Sequence, residues 1–429
     1  MNSAHLLATL PAGWQRVPLK SVCSFAVSNV DKHSLDGELP VRLCNYTDVY
    51  KNDRVSPDMD LMAATATLQE IERFRLEIGD VVITKDSESW NDIAVPAYVA
   101  GTADDFVCGY HLAILRPQRE LLDGRFLFRC MQARPVALQL ELEATGVTRY
   151  GLPKDAIGRA VLPLPPLRMQ VRIADYLDGE AARIDQLISE KENMLTLLEE
   201  KRAALISRVV TRGLDLSAAL KASGQDWLAE IPKHWDLERA KNLFAVRDER
   251  SNDGMEELLT VSHITGVTAR SAKDVNMFEA DDKAGYKRCL PGDLAINTLW
   301  AWMGAMGISA LDGIVSPDYH VYTTKGRLLP EYVDLLCRSR PFVAEVIRWS
   351  KGVWSSRLRL YPENFFEIRL PVPPLDEQEA IVSFVKANQR KANTLRQALR
   401  QSIALAKERR AALITAAVTG RTPLEEMAQ

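Results

Sequence analysis

Cysteine, net charge and long apolar runs are all scarce in this chain of 429 residues, and each scarcity closes off a class of function. Six cysteines, Cys23, Cys44, Cys108, Cys130, Cys289 and Cys337, lie far apart, with no Cys-x-x-Cys and no nearby histidine pair. That spacing excludes the usual zinc sites and predicts reduced, buried thiols and no bound metal. The formal charge is only −3, so the broad basic field of a non-specific nucleic-acid binder is missing and any DNA binding has to come from local patches. Residues 1–160 hold 17 basic against 21 acidic side chains, whereas residues 376–421 hold 9 against 4. No apolar run approaches a membrane span, and Met1-Asn2-Ser3-Ala4-His5 does not lead a basic segment into an apolar block. The expected location is therefore the cytoplasm, with no membrane partner.

Catalytic motifs are missing too. There is no Gly-x-x-x-x-Gly-Lys-Ser/Thr loop for ATP and no Gly-x-Ser-x-Gly elbow for hydrolysis. Both Pro-Pro pairs sit between aliphatic residues, so neither forms the Asn/Asp-Pro-Pro-aromatic loop with which a methyltransferase holds a flipped base. Pro57-Asp58 and Pro317-Asp318 resemble the start of a metal-dependent nuclease motif, but no Glu-x-Lys follows at short range. The chain is expected not to be an enzyme.

What it does have, it has twice. Leu-Pro-Leu-Pro-Pro-Leu-Arg from Leu162 and Glu-Lys-Arg-Ala-Ala-Leu-Ile from Glu200 return as Leu-Pro-Val-Pro-Pro-Leu-Asp from Leu370 and Glu-Arg-Arg-Ala-Ala-Leu-Ile from Glu408. The first copy places Leu177, Ala181, Ile184, Ile188, Leu195, Leu198, Leu205 and Val209 at alternating steps of four and three, broken by Lys191 and Arg202. This is a coiled-coil seam, and its punctuation of Pro165-Pro166 before and Gly213 after predicts a helix over 168–212, about 67 Å long at ~1.5 Å per residue. The second copy, over 376–419, carries Ile381, Val385, Ala392, Leu399, Ile403, Ala406, Leu413 and Ala417, with Gln389, Arg396 and Arg410 as polar breaks. Alone that seam is weak. A like-length partner is needed, either the first helix, antiparallel as pseudo-two-fold symmetry favours, or a second chain.

The duplication extends beyond the helices. Leu10-Pro11 to Trp14 returns as Ile231-Pro232 to Trp235, Gly79-Asp80 as Gly292-Asp293, Tyr110-His111 as Tyr319-His320, and Gly146-Val147 as Gly352-Val353. Each unit thus reads as short strands, a Gly-Asp turn into a buried strand, a helical passage (from Arg125 or Glu331), a Gly-Val loop and a long helix. The fold class is α+β, with globular regions at 1–163 and 231–370, long helices within 164–213 and 371–421, a linker at 214–230 and a tail at 422–429.

Taken in order, these doubled motifs resemble the DNA-specificity subunit of Type I restriction-modification systems over nearly the whole chain. The run Gly-Ile-Val-Ser-Pro-Asp-Tyr from Gly313 adds to the likeness, while Arg168-Met169-Gln170 departs from the Asp376-Glu377-Gln378 of the second copy. The resemblance implies two homologous mixed α/β target-recognition domains separated by two long helices that pair as an antiparallel coiled coil with pseudo-two-fold symmetry. It also implies a non-catalytic reader of a bipartite asymmetric site on double-stranded DNA, with the helix pair setting the spacer. Two methyltransferase subunits and the restriction/translocase subunits would be its partners. No cofactor would bind this chain, since S-adenosylmethionine, ATP and Mg would sit on those partners. A non-DNA scaffold with two divergent protein-binding modules is the other reading, mildly favoured by the acidic first domain.

Candidate DNA contacts in the first domain are Lys85, Ser87, Ser89, Trp90 and Asn91, with the loop residues Thr145, Thr148, Arg149, Tyr150 and Lys154. In the second they are Asn297, Trp300 and Trp302, with Lys351, Trp354, Ser355, Ser356, Arg357 and Arg359. Arginine and asparagine can read base edges, while serine, threonine and lysine mostly hold phosphates. Trp300 and Trp302 fit core burial as well, and Arg149 or Arg357 could instead form a surface ion pair.

Overall fold

The computed structural model describes residues 7, 10–273, 282–352, 358–423, 425 and 427. Its two long helices run Leu167–Arg212 and Leu375–Val418, with each end within one residue of its expected place. The punctuation explains the accuracy. Proline lacks the N–H that would extend either helix backwards, and at the other end Gly213 (φ 74°) and Gly420 (φ 70°) take the left-handed conformation that stops a helix.

The chain forms two compact units, Met1–Glu192 with Gln401–Gln429, and Asn193–Arg400. Each contains a globular region and a part of both long helices, so the units cut across the boundaries expected from the sequence. Burial accounts for this. The first unit's core takes Ile173 and Leu177 from the start of the first helix together with Ile414, Ala417 and Val418 from the end of the second. The second unit's core takes Val209 and Val210 from the end of the first helix with Ile381, Val382 and Val385 from the start of the second. Ion pairs continue the contact along the helices, Asp185 to Arg410 and Glu192 to Lys407 in the first unit, Glu199 to Arg396 in the second.

The same architecture appears in both units. In the first, the strands Cys23–Val27, Leu112–Pro117, Val81–Thr84 and Pro96–Val99 lie side by side in that order, all antiparallel, with Arg54–Val55 added parallel at the edge. The second repeats the order with Phe244–Val246, Tyr319–Thr324, Leu294–Asn297 and Met306–Ile308. A separate two-stranded ribbon leads into each long helix, Gln15–Pro18 with Val161–Leu164, and Asp236–Arg239 with Arg369–Val372.

Two of the doubled motifs prove to be structural locks. The aspartate of each Gly-Asp turn is buried, caps its own turn and holds an arginine from a neighbouring segment through both carboxylate oxygens. Asp80 takes Glu77 N and Arg116 (2.7 and 2.9 Å), and Asp293 takes Leu290 N and Arg247 (2.6 and 3.0 Å). The glutamine at the start of each long helix is wholly buried. Gln170 donates to Leu121 O and Pro165 O and accepts from Asp123 N, while Gln378 donates to Arg327 O and Pro373 O and accepts from Leu329 N. The Arg168-Met169 departure does have a consequence. Glu377 accepts from Trp235 Nε1 at 2.7 Å, a bond that Met169, at the matching place, is unable to offer Trp14.

One expectation changes. The stretch read as a linker contains the strand Leu220–Ala222, paired with Glu230–Pro232, and Trp227 packs edge-on against Phe342 with ring centroids 5.6 Å apart. Its Ser, Ala, Asp and Gly content reflects tight turns in a folded hairpin. All six cysteines are free and buried as expected, and burial pushes the Cys23 and Cys289 thiols up to about 12. No group of three or more metal-ligating side chains occurs among the described residues, and no helix there is long and apolar enough to cross a membrane.

Candidate DNA interface

In the first unit the fold brings both sets of candidates together. The strand Val81–Thr84 ends at Lys85, and the chain continues as a short strand, Asp86–Ser87, that pairs with Tyr150–Gly151, itself paired with Thr145–Gly146. Leu152 N donates to Lys85 O at 2.8 Å, locking the Gly-Val loop beside the end of the central strand. Gly146 (φ 151°) is required at the loop, because a Cβ there would lie 2.0 Å from the Arg149 carbonyl oxygen. Thr145, Thr148, Arg149, Lys154 and Asn91 are exposed, Trp90 is 44% exposed, and Ser89 donates to Asn91 Oδ1 at 2.6 Å. Lys85 and Tyr150 are half-buried. Ser87 is buried, its hydroxyl accepting from Ser89 N and meeting the Tyr46 hydroxyl.

Several residues at this surface escaped the sequence reading. Asp86 bonds Lys85 Nζ at 3.0 Å through one oxygen and His111 Nδ1 at 2.5 Å through the other. The Arg149 guanidinium lies against the His111 ring, 3.3 Å from Nε2. Tyr110 is 47% exposed and its ring lies 3.9 Å from that of His111. Tyr46 stacks on Tyr50, whose hydroxyl donates to Asp92 at 2.7 Å. The only signal available was the Tyr-His doublet, which recurs at Tyr319-His320.

The second unit repeats the frame with different side chains. Leu360 N donates to Thr298 O at 3.3 Å, and Lys351 and Arg359 exchange backbone hydrogen bonds at 2.9 Å, so this pair, like the first unit's hairpin, is tied in close to the end of the central strand. Lys351 and Arg359 are exposed. Trp300 is 49% exposed and stacks on Trp302, with centroids 6.2 Å apart and planes at 23°. Trp302 is anchored by Nε1 donating to Leu299 O at 3.0 Å, so core burial does not describe this pair. Asn297 is buried, with its amide committed to Val261 O and the Tyr319 hydroxyl, so packing within the domain takes the donors a base edge would need. Trp354, Ser355, Ser356 and Arg357 lie outside the described residues.

His320 sits on the strand beside Asn297, and burial, helped by the positive charge of Lys287, lowers its pKa from 6.5 to about 4, against the opposing pull of Glu363 and Asp318. The unfolded chain therefore takes up a proton near pH 6.5 and the folded chain only near pH 4. Stability contributed by neutral His320 is present above pH 6.5 and is lost as the pH falls toward 4. Allowing for the ring's partial exposure, the loss should be about 1 kcal/mol. Thermal melts at pH 7 and pH 4.5 should show a smaller acid-induced drop for His320→Gln than for the parent, and equal drops would remove His320 as the cause.

Comparison with known proteins agrees with this geometry. No protein-family model matches the chain. It is 22% identical over 170 residues to the putative Type I restriction enzyme MjaX specificity subunit of Methanocaldococcus jannaschii, covering 39% of this chain. It is 21% identical over 290 residues to the MjaVIII specificity subunit of the same organism, covering 64% of this chain. These matches span 38% and 65% of the relatives' own lengths. Among solved structures, the HsdS subunit from Thermoanaerobacter tengcongensis aligns over 96% of this chain and 98% of its own, with a TM-score of 0.52 at 17% identity. A chain from a structure described as the basis of complex assembly and conformational transition of the Type I R-M system aligns over 96% of this chain and 100% of its own, with a TM-score of 0.69 at 17% identity. With two units of one strand order, two long helices and these likenesses, the chain is a relative, in sequence and in fold, of the specificity subunits of Type I restriction-modification systems.

Proposed function

We propose that the chain is a non-catalytic reader of double-stranded DNA that recognises a bipartite, asymmetric site and brings methyltransferase and restriction subunits to it in the cytoplasm. The observation that carries this is one frame presenting unlike side chains. Counted from Gly79 and Gly292, Trp300 stands where Ser87 stands and Trp302 where Ser89 stands, each beside a loop bearing exposed cationic residues. Matching frames with unlike tips suit two half-sites of different sequence. Exposed aromatic and cationic groups together also fit DNA better than a protein-binding scaffold would require.

The two long helices are read as an antiparallel coiled coil that spaces the half-sites. Ion-pair partners support that sense, since their numbers rise along one helix (185, 192) as they fall along the other (410, 407). On this reading S-adenosylmethionine, ATP and Mg belong to the partner subunits. Exchanging residues 1–163 for those of a relative with another specificity should change one half of the methylated motif, as mapped by single-molecule methylome sequencing of a host that also carries the methyltransferase. A change in both halves would sink the modular assignment, and a parent that gives no bipartite motif would sink the DNA-reading function.

A further inference from the structure

Asp86, His111 and Arg149 come from three separate segments and meet in the first unit as carboxylate, imidazole and guanidinium in successive contact. Arg149 Nη2 lies 3.3 Å from His111 Nε2 and 3.5 Å from Nδ1, so the guanidinium rests against the imidazole ring and not on one nitrogen alone. On its other side the ring is tied to Asp86, with Nδ1 2.5 Å from Oδ2. Asp86 is held in turn. Its other oxygen takes Lys85 Nζ, its side chain is 13% exposed, and its backbone lies in register with Gly151, where a Cβ would come within 3.1 Å of Oδ1. His111 itself has a left-handed backbone (φ 70°), a conformation costly for a residue other than glycine that keeps the imidazole turned toward Asp86. Among the described residues no carboxylate lies within ion-pair distance of Arg149. Arg149 is exposed, as are its neighbours Thr148 and Val147, the latter 90% exposed.

We infer that Arg149 is the base-reading residue of the first half-site, with guanine as its target, and that His111 and Asp86 are positioning residues that hold its guanidinium at a fixed angle. This deepens the proposed DNA-reading function and rests on it. A planar guanidinium held by one nitrogen keeps an edge free for a bidentate pair with guanine O6 and N7, the contact that arginine makes best in the major groove. A merely electrostatic arginine would need no ring behind it and no carboxylate bracing that ring. At the matching doublet among the described residues, Tyr319 takes the Asn297 amide and His320 is half-buried, its ring 6.4 Å from that of Tyr322.

The test is selection from a randomised duplex library with the full chain, followed by sequencing of the bound fraction, for the parent and three variants. Arg149→Ala should lose the preference for guanine at one position of one half-site, with affinity for the parental site down by about 10- to 100-fold, the range expected for one bidentate pair. The other half-site should be unchanged. His111→Phe keeps a ring but removes both nitrogens and should relax the same position. His111→Gln, which can accept from Arg149 and donate toward Asp86, should restore it to within about threefold of the parent. Should the positioning variants fail to fold, Arg149→Ala still decides the matter, because that side chain is exposed. The inference is overturned if Arg149→Ala leaves the selected motif intact, if it weakens all sequences equally as a phosphate contact would, or if His111→Phe selects the parental motif. A parent that selects no motif would instead overturn the DNA-reading function itself.

Discussion

Gln378→Leu should cost the second unit about 3 kcal/mol and lower its melting midpoint by about 6–12 °C. Three backbone groups depend on this one buried amide, Leu329 N–H and the carbonyls of Arg327 and Pro373, and leucine serves none of them. Each buried group left without a partner costs about 1–3 kcal/mol, and the similar volume of leucine leaves little room for water to substitute. Gln170→Leu should act alike on the first unit, through Asp123 N–H and the carbonyls of Leu121 and Pro165. Gln378→Glu is the informative control, since a carboxylate can accept from Leu329 but cannot donate to either carbonyl. A melting shift under about 2 °C for the leucine variant, measured by calorimetry, would show that neighbouring groups satisfy the helix entrance without the glutamine.

Removing seven residues from the middle of each long helix should shorten the preferred DNA spacer by about three base pairs. Seven residues are ~10 Å of helix at ~1.5 Å each, and base pairs rise by ~3.4 Å. A whole heptad keeps the apolar seam nearly in phase, which a deletion of three or four residues would not. Three base pairs also turn the duplex by about 100°, given ~10.5 base pairs per turn, so binding to the parental spacing should collapse by two orders of magnitude or more. Methylome sequencing reads the spacer directly. An unchanged spacer in a folded, methylation-competent variant would refute the role of the helices as a measure of distance.

How much of this was legible beforehand depended on whether the cause was local. Helix ends are set by proline and glycine within a few positions, so the boundaries at Leu167, Arg212, Leu375 and Val418 could be read almost to the residue. The Gly-Asp and Gln markers were visible as repeats, but their purpose was not. That Asp80 holds Arg116, or that Gln170 serves Leu121, depends on strand pairing that one sequence does not encode locally. The same holds at the tip of the first unit. Lys85 and Arg149 were legible as cations on loops, whereas Asp86 and His111, 25 positions apart, meet only because Val81–Thr84 and Leu112–Pro117 are neighbouring strands. Trp300 shows the converse. A tryptophan between aliphatic residues looks like core, but the tight turn closed by Gly304 (φ 89°) carries it outward.

Gly420, at the end of the second long helix, lies so close to Pro11 that a Cβ there would come within 2.4 Å of the proline ring, with Trp14 beyond it at 3.2 Å. Any larger residue at 420 would therefore have to push the end of this helix away from Pro11, at the edge of a core that Trp14 and Met427 share.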